Sequence, residues 1–459
     1  MKIIVCGAGE VGLNIAKQLV EEDNDVTIID ESEDLLRLIN QSLDVKTVCG
    51  KTSFPDILSK GGAEEADILI SVLENDEMNM VTCQISKHIF KIPSTISKIK
   101  ESNYLDKKWL KLFSDKCLSV DHIISPEIEI ANEIIRKLNT PGAFDSFLLG
   151  NDLINVIGIT INSDCPIINT PLRMLPGIFS GLEIKILVIY RGEEIIIPTG
   201  KVEIYPNDEI YFLVRSNELK RALRVFGIKS QETRKIVIIG LGTIGTYLLK
   251  KIEKEFPDVI CKVIESNIKR SEEVVNKLSG QTVILNGNAL DKELLIEAGV
   301  SGAEAVVSVT DDDEVNIFST LLAKELGCLR SFAILNNSIY RQLARKLDLD
   351  VLISPKNNTI SAILRHVRKG KVREIHDFGD KRGEIMEIEI LPTSKFADKK
   401  IIELNLSEGI IIGAILREKD VYFADDEFTL QINDKLILFS DSQSIKEVEK
   451  FSEVNIEFF

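Results

Sequence analysis

At 459 residues and 44% hydrophobic, the chain carries enough apolar side chains for several cores, and domain-size statistics point to about three or four domains. Its net charge of −16 excludes a general nucleic-acid binder, which needs a positive field to displace counterions. No apolar run approaches the roughly 20 residues of a membrane span. Met1 leads straight into a first strand without a signal peptide, and seven scattered cysteines with no C-x-x-C pair indicate neither a zinc site nor a disulfide framework. Buried thiols in a reducing compartment are the expectation.

The chain opens on KIIVCGAGEVG, which packs a strand, a glycine turn and a helix start into Lys2 to Gly12. Ile3 to Val5 suit a buried parallel strand, Gly7, Gly9 and Gly12 fit G-x-G-x-x-G, and Val11, Ile15 and Leu19 share one helix face. Gly7 serves the sharp turn, Gly9 lets backbone approach a phosphate, and Gly12 allows tight helix–strand packing. The helix N-terminus that follows, with unpaired N–H groups, suits a pyrophosphate. The next strand, Val26 to Asp30, ends in an acid 18 residues beyond Gly12, where dinucleotide folds place a ribose-binding carboxylate. A carboxylate there repels a 2′-phosphate, so NAD or an adenosine nucleotide is expected over NADP.

A short strand at Val45 to Val48 and a helix from about Phe54 to Lys60 come next. A fourth strand, Ile68 to Val72, feeds an acidic turn and a helix. Thr95 to Ile99 form a fifth strand, and a sixth ends at Ile124, Ser125 and Pro126, where proline stops the ladder. From about Pro141 to Val214 short β-branched runs alternate with turn residues.

The pattern then starts again. KIVIIGLGTIG, from Lys235 to Gly245, repeats the glycine turn, and Glu265 follows the strand Cys261 to Ile264, 20 residues beyond Gly245. The stretch from Gly61 aligns with that from Ala298, with matches at Asp76/Asp313, Glu77/Glu314 and Asn79/Asn316 among others. Counterpart strands follow at Thr282 to Leu285, Ala305 to Val309 and Phe332 to Leu335, and a sixth ends at Ile353, Ser354 and Pro355. The β-rich texture returns from about Gly383 to Phe439, where FADDEFTLQINDKLILF matches IPTGKVEIYPNDEIYFL from Ile197. The chain is a tandem duplication. Its fold class is α/β: two Rossmann-like doubly wound parallel sheets, each followed by a small β-rich α+β domain. The expected domains are 1–124, 141–220, 233–353 and 374–457.

Two joins are rich in basic residues: Lys220, Arg221, Arg224, Lys229, Arg234 and Lys235 between the halves, and Arg365, Arg368, Lys369, Lys371 and Arg373 before the last domain. They read as solvated linkers or helix ends. The four histidines are assigned structural or solvated roles, with His366 and His376 placed in the second basic linker and none in the C-domains. The N-domains are expected to pair through apolar helix faces over Glu127 to Leu138 and Asn357 to His366, because Ile128, Ile130, Ile134, Ile135 and Leu138 exceed one buried stripe.

Two nucleotide-binding domains, each with a β-rich partner, and the phrases VLENDEMNM and VTDDDEVN where the fourth strand meets its helix, resemble the TrkA family of tandem RCK (regulator of potassium conductance, or KTN) proteins. The resemblance covers essentially the whole chain. It implies a cytoplasmic regulatory subunit, peripheral on the inner face of the plasma membrane, that assembles as a homo-oligomeric ring. The ring gates potassium flux through a membrane-embedded potassium-conducting subunit (TrkH/TrkG-like) when NAD(H) and/or ATP/ADP binds.

Carried over by position, Gly7, Ala8, Gly9, Glu10 and Val11 match the phosphate turn, Asp30 the ribose ligand, Leu73 and Glu74 the base side of the cleft, and Lys98 a phosphate-facing cation. In the second copy Gly240, Leu241, Gly242, Thr243, Ile244, Glu265, Thr310 and Asp311 correspond. Leu73 stands where threonine or serine is common and Thr310 keeps the hydroxyl, while Ile334 replaces Lys98, so the two sites are expected to differ in ligand or affinity. No catalytic residue and no metal ligand is expected. The alternatives are a regulator of another cation transporter or antiporter, an NAD-dependent oxidoreductase, and a scaffold with vestigial sites.

Overall fold

A computed structural model describes the chain except residues 22–23, 107, 115–116, 180, 193, 229–234, 276–281, 345–346, 348, 368–371, 378–382, 393, 395, 446 and 449–459. It divides into two compact units, Met1–Ile135 with Thr233–Val367 and Arg136–Glu232 with Arg368–Phe459.

The first half of the first unit runs β1 (Lys2–Cys6), α1 (Glu10–Glu21), β2 (Asp25–Asp30), α2 (Glu33–Ser42), β3 (Lys46–Cys49), α3 (Pro55–Gly61), β4 (Ile68–Ser71), α4 (Asp76–His88), β5 (Ser94–Lys98), β6 (His122–Ile124) and α5 (Pro126–Asn139). All six strands are parallel, in the order β3-β2-β1-β4-β5-β6. That order reverses between β1 and β4, so their C-terminal ends open a crevice at the switch point, where nucleotides bind in such sheets. The four central strands, β2, β1, β4 and β5, are buried almost throughout, as helices on both faces require. Pro126 both ends β6 and opens α5, because its missing N–H costs nothing in the first helical turn.

The β-rich segment that follows contains β7 (Ala143–Leu149), β8 (Ile154–Thr160), the single turn α6 (Leu175–Ile178), β9 (Ile184–Arg191), β10 (Glu194–Ile196), β11 (Glu209–Arg215) and α7 (Leu219–Val225). Its antiparallel sheet has the order β10-β9-β11-β8-β7, and α7 adds Ala222, Leu223 and Val225 to its core. Of the two readings of this basic run, linker or helix end, Lys220, Arg221 and Arg224 follow the second: they lie on the short packed helix α7, with Arg224 in its last turn. Lys229 and Arg234 lie outside the described residues, and Lys235 opens the next strand.

The second copy repeats the first with β12 (Lys235–Ile239), α8 (Thr243–Glu255), β13 (Ile260–Glu265), α9 (Ile268–Val275), β14 (Val283–Asn286), α10 (Lys292–Ala298), β15 (Ala305–Ser308), α11 (Asp313–Glu325), β16 (Ser331–Ile334), α12 (Ser338–Ala344), β17 (Val351–Ile353) and α13 (Pro355–Val367). Its sheet order is β14-β13-β12-β15-β16-β17. The chain closes on β18 (Val372–Asp377), β19 (Glu384–Glu389), β20 (Ile410–Arg417), β21 (Asp420–Phe423) and β22 (Lys435–Ser440), in the antiparallel order β18-β19-β22-β20-β21.

Arg365 belongs to α13 and Arg373 to β18, which leaves Arg368, Lys369 and Lys371 of the second basic run outside the described residues. The two histidines placed in that linker are corrected with it. His366 sits in the last turn of α13 and His376 in β18, so the final sheet does contain a histidine.

Helix exchange joins the two parallel-sheet copies. Ile360, Ala362, Ile363, Leu364 and Val367 of α13 are buried in the core of the first copy, among Ile3, Val5, Ile15, Leu19 and Ile124. His366 stacks on His122 of β6 with ring centroids 4.3 Å apart. In the other direction α5 reaches α8, where Lys251 donates to Asn132. The surplus apolar faces of these two helices are thus used within one chain.

In the second unit each β-rich half holds a turn through a buried aspartate. Arg191 grips Asp208 through two nitrogens at 2.8 Å, and Asp208 also accepts from Tyr205 N–H at 2.9 Å. Arg417 and Asp434 repeat the fork, with Gln431 N–H at 2.8 Å. Both aspartates have side chains only 1% exposed, so the planar guanidinium and a backbone donor together replace their water.

Candidate functional site

The glycine turn after β1 is built as a cradle. Gly7 has φ +114°, and a Cβ on it would press on the Val72 carbonyl at 3.3 Å. A Cβ on Gly12 would lie 1.9 Å from Gly7 O, so this helix turn sits directly on the loop. At Gly9, by contrast, nothing lies within 4 Å of where a Cβ would be. Gly240, Gly245 and Gly242 repeat the three environments, with φ +99°, a 2.0 Å clash against Gly240 O, and open space. The middle glycine of each copy is the one whose missing side chain faces room for a phosphate. The first backbone bonds of the two helices are Leu13 N–H to Gly9 O and Thr246 N–H to Gly242 O, both 2.9 Å, so the N–H groups before them are free of the helix ladder.

Asp30 and Glu265 clamp these turns. Asp30 Oδ2 accepts from Ala8 N–H at 2.7 Å and Oδ1 from Ser32 N–H at 2.8 Å. Glu265 does the same with Leu241 N–H at 2.6 Å and Asn267 N–H at 2.8 Å. Each carboxylate therefore ties the glycine turn to the end of the second strand, and each oxygen has lone pairs left for ribose hydroxyls. Ala8 and Leu241 are buried beneath the turn, and Val11 packs on the core. Thr243 opens α8 and is exposed, with Ile244 half-buried beside it.

The far wall is held by an asparagine that sequence reasoning matched between copies without assigning a task. Asn79, fully buried at the start of α4, accepts from Ser71 Oγ and Leu73 N–H, both at 2.8 Å, and donates to the carbonyls of Leu73 and Lys98 at 3.1 and 2.9 Å. Asn316 makes the same set with Ser308, Thr310 and Ile334. Asp76 and Asp313 lock the loop after the fifth strand by accepting backbone N–H groups of Lys100 and Glu101, and of Asn336 and Asn337. The signal was present, since a buried amide satisfying two strand ends has to recur with the turn it holds.

Three expected contacts look different in three dimensions. Thr310 directs its hydroxyl to Asn316 Oδ1 at 2.7 Å and Asp312 O at 3.1 Å, so it fixes the turn as well as lining the site, a bond Leu73 cannot make. Glu74 is exposed and bridged to Lys100 at 2.9 Å, which lowers its pKa first through that hydrogen bond and then through the charges of Lys98 and Lys100. Lys98 is 4% exposed, and its ammonium donates to Val72 O at 3.1 Å, behind the glycine turn. Burial drives its pKa down. Strand register pairs Ser71 with Ser97 and Ser308 with Ala333, so Ile334 is the positional equivalent of Lys98.

In the second copy these elements enclose a cavity of about 420 Å³, the size of a small-ligand pocket. Gly240, Gly242, Glu265, Thr310 and Asp311 line it together with Ser266, Asn288 and Arg270. Arg270 was not anticipated: it stands in the first turn of α9, and the turn from β13 into α9 brings it to the same cavity as Glu265. Open space at the middle glycines, the free helix ends and this cavity fit an adenosine nucleotide or dinucleotide. Among the described residues no group of three or more His, Cys, Asp and Glu side chains is arranged to hold a metal ion, and no helix is long and apolar enough to cross a membrane.

Residues 3–126 and 236–355 match the TrkA-N domain, and residues 156–227 and 385–452 match the TrkA-C domain. The chain is 36% identical over the full length of both proteins to the Trk system potassium uptake protein TrkA of Azorhizobium caulinodans. The chain belongs to the TrkA family. The TrkA of Halomonas elongata is 33% identical, again over the whole of both chains. Among solved structures, the GsuK channel bound to NAD is 18% identical with a TM-score of 0.61, spanning 98% of this chain and 78% of that one. The GsuK RCK domain is 19% identical with a TM-score of 0.58, spanning 98% and 94%. At these identities the structures show the fold that this TrkA-family chain shares with them.

Proposed function

We propose that this chain is the cytoplasmic nucleotide-binding regulatory subunit of a Trk-type potassium uptake system. It binds NAD(H) and/or ATP/ADP in the two glycine-turn sites and gates potassium flux through a membrane-embedded TrkH/TrkG-like partner, on whose inner face it sits as a homo-oligomeric ring. In this reading 1–124 and 233–353 are the nucleotide-binding domains, 141–220 and 374–457 their β-rich partners, and the ligands are Gly7 to Val11, Asp30, Leu73, Glu74 and Lys98 in one site and Gly240 to Ile244, Glu265, Thr310 and Asp311 in the other. The observation that carries it is the paired cradle: in both copies the middle glycine opens to space at a helix start while an acid clamps the turn beside it. Family membership supplies the potassium context.

Gating needs only that a nucleotide prefer one ring state and that the ring prefer one pore state; the shift is limited by that difference in affinity. The test is calorimetric titration of the full chain with ATP, ADP, NAD and NADH, followed by absorbance of NADH over hours. Saturable binding without turnover supports the reading, and a ligand-dependent potassium flux in vesicles carrying the membrane partner completes it. Steady oxidation of NADH on adding a small carbonyl substrate would instead mean an oxidoreductase, and a potassium flux indifferent to the protein would mean another transporter.

A further inference from the structure

We infer that Lys356, at the start of the second copy's last helix, is a phosphate ligand of the first copy's site, so that this site is completed by both halves of the duplication. The inference rests on the nucleotide reading above. Lys356 follows Pro355 in the first turn of α13, and its ammonium is paired with Glu10, the first residue of α1 and the neighbour of Gly9. Its partner is thus the residue next to Gly9, the glycine of this turn where a missing Cβ leaves open space.

The arm that carries it is firmly seated. Ile360, Ile363 and Leu364 are buried in the first copy's core, Asn358 donates to Glu133, and His366 stacks on His122. Lys356 itself is a poor staple. Its side chain is 32% exposed and that of Glu10 57%, and ion pairs so open to water contribute little to stability. What the pair does provide is a cation held beside the phosphate turn by a carboxylate that a phosphate can displace.

The duplication shows that this charge is specific to the first site. Ser354, Pro355 and Lys356 correspond to Ser125, Pro126 and Glu127, and Glu127 turns back to accept from its own Ser125 at 3.3 Å. Lys98, which makes one hydrogen bond and is otherwise buried behind the same turn, corresponds to Ile334. Lys98 is spent on the Val72 carbonyl, so Lys356 is the half-exposed cation beside the first turn, and the terminal phosphate of a nucleoside triphosphate is the group assigned to it.

The test is calorimetry on the full chain and on its Lys356→Gln and Glu10→Gln variants, each titrated with ATP and with NAD, with thermal midpoints confirming folding. Lys356→Gln is expected to weaken ATP at one of two sites about tenfold, the scale of one lost charge-assisted hydrogen bond, and to leave NAD within twofold. Glu10→Gln is expected to tighten ATP at that same site, and Lys356→Arg to retain it. If the pair only joins two helices, both glutamine variants shift ATP affinity in the same direction or not at all, and the inference fails while the nucleotide reading stands. If the unaltered chain binds none of the nucleotides, both fail.

Discussion

At the scale of single residues, each site depends on side chains that never face a ligand. Asn79 and Asn316 satisfy the ends of two strands with one amide each, inside cores where an unpaired carbonyl or N–H is costly. Asn79→Ala or Asn316→Ala is expected to cost about 2–3 kcal/mol, as several buried groups lose partners at once, and urea denaturation will show it as a lower midpoint. Asp30 has two tasks, so Asp30→Ala should lower stability along with affinity. The cysteines give a second check. Cys49 and Cys117 are exposed and the other five buried, with burial pushing Cys83 and Cys261 up to about 12 and Cys328 to about 11. Two of seven thiols should therefore label promptly in the native protein, and the rest only on unfolding. Because the buried thiols hold their protons in the fold beyond the pH at which they ionise in the unfolded chain, their contribution is flat below about pH 9 and falls as pH rises above it.

At the scale of elements, the exchange of α5 and α13 makes the two parallel sheets one cooperative body. α13 presents Ile360, Ile363, Leu364 and Val367 to the first copy's core, so a substitution at Ile363, 239 residues beyond Ile124 (363 − 124), acts on the N-terminal sheet. Ile363→Ala is expected to cost about 2–5 kcal/mol, the range for emptying a buried isoleucine site. It should lower the denaturation midpoint without splitting the transition. A chain of residues 1–139 alone would leave uncovered the face that α13 occupies. Since its own α5 has the matching apolar pattern, sedimentation should find it as a dimer, and charged substitutions at Ile130 and Ile134 should return it to a monomer.

For the whole molecule, duplication followed by divergence yields two unlike sites on one frame. The second copy holds Arg270 and Glu265 in the lining of a cavity of about 420 Å³; the first holds Lys98 behind its turn and Lys356 from the other copy. Arg270→Ala is expected to weaken one of two calorimetric transitions several-fold and to leave the other in place. Equal weakening of both would mean that the sites act as one. Two unlike sites let two nucleotides act separately on the helices exchanged between the copies, each only to the extent that it prefers one conformation over another.

The duplication, the parallel-sheet class, the glycine cradle and the acid that follows it were legible in the chain itself, because each is local. A buried strand needs a continuous apolar run, a phosphate turn needs glycines at set spacing, and a repeat displays itself by alignment. What only the tertiary structure decided involves partners far apart in sequence. The apolar surplus of residues 127–138 and 357–366 marked a contact but could not name its target, since any apolar groove satisfies the same stripe. The placing of Lys98 behind its turn and of Lys356 beside Glu10 follows from sheet register and helix exchange, and local sequence carries no record of either.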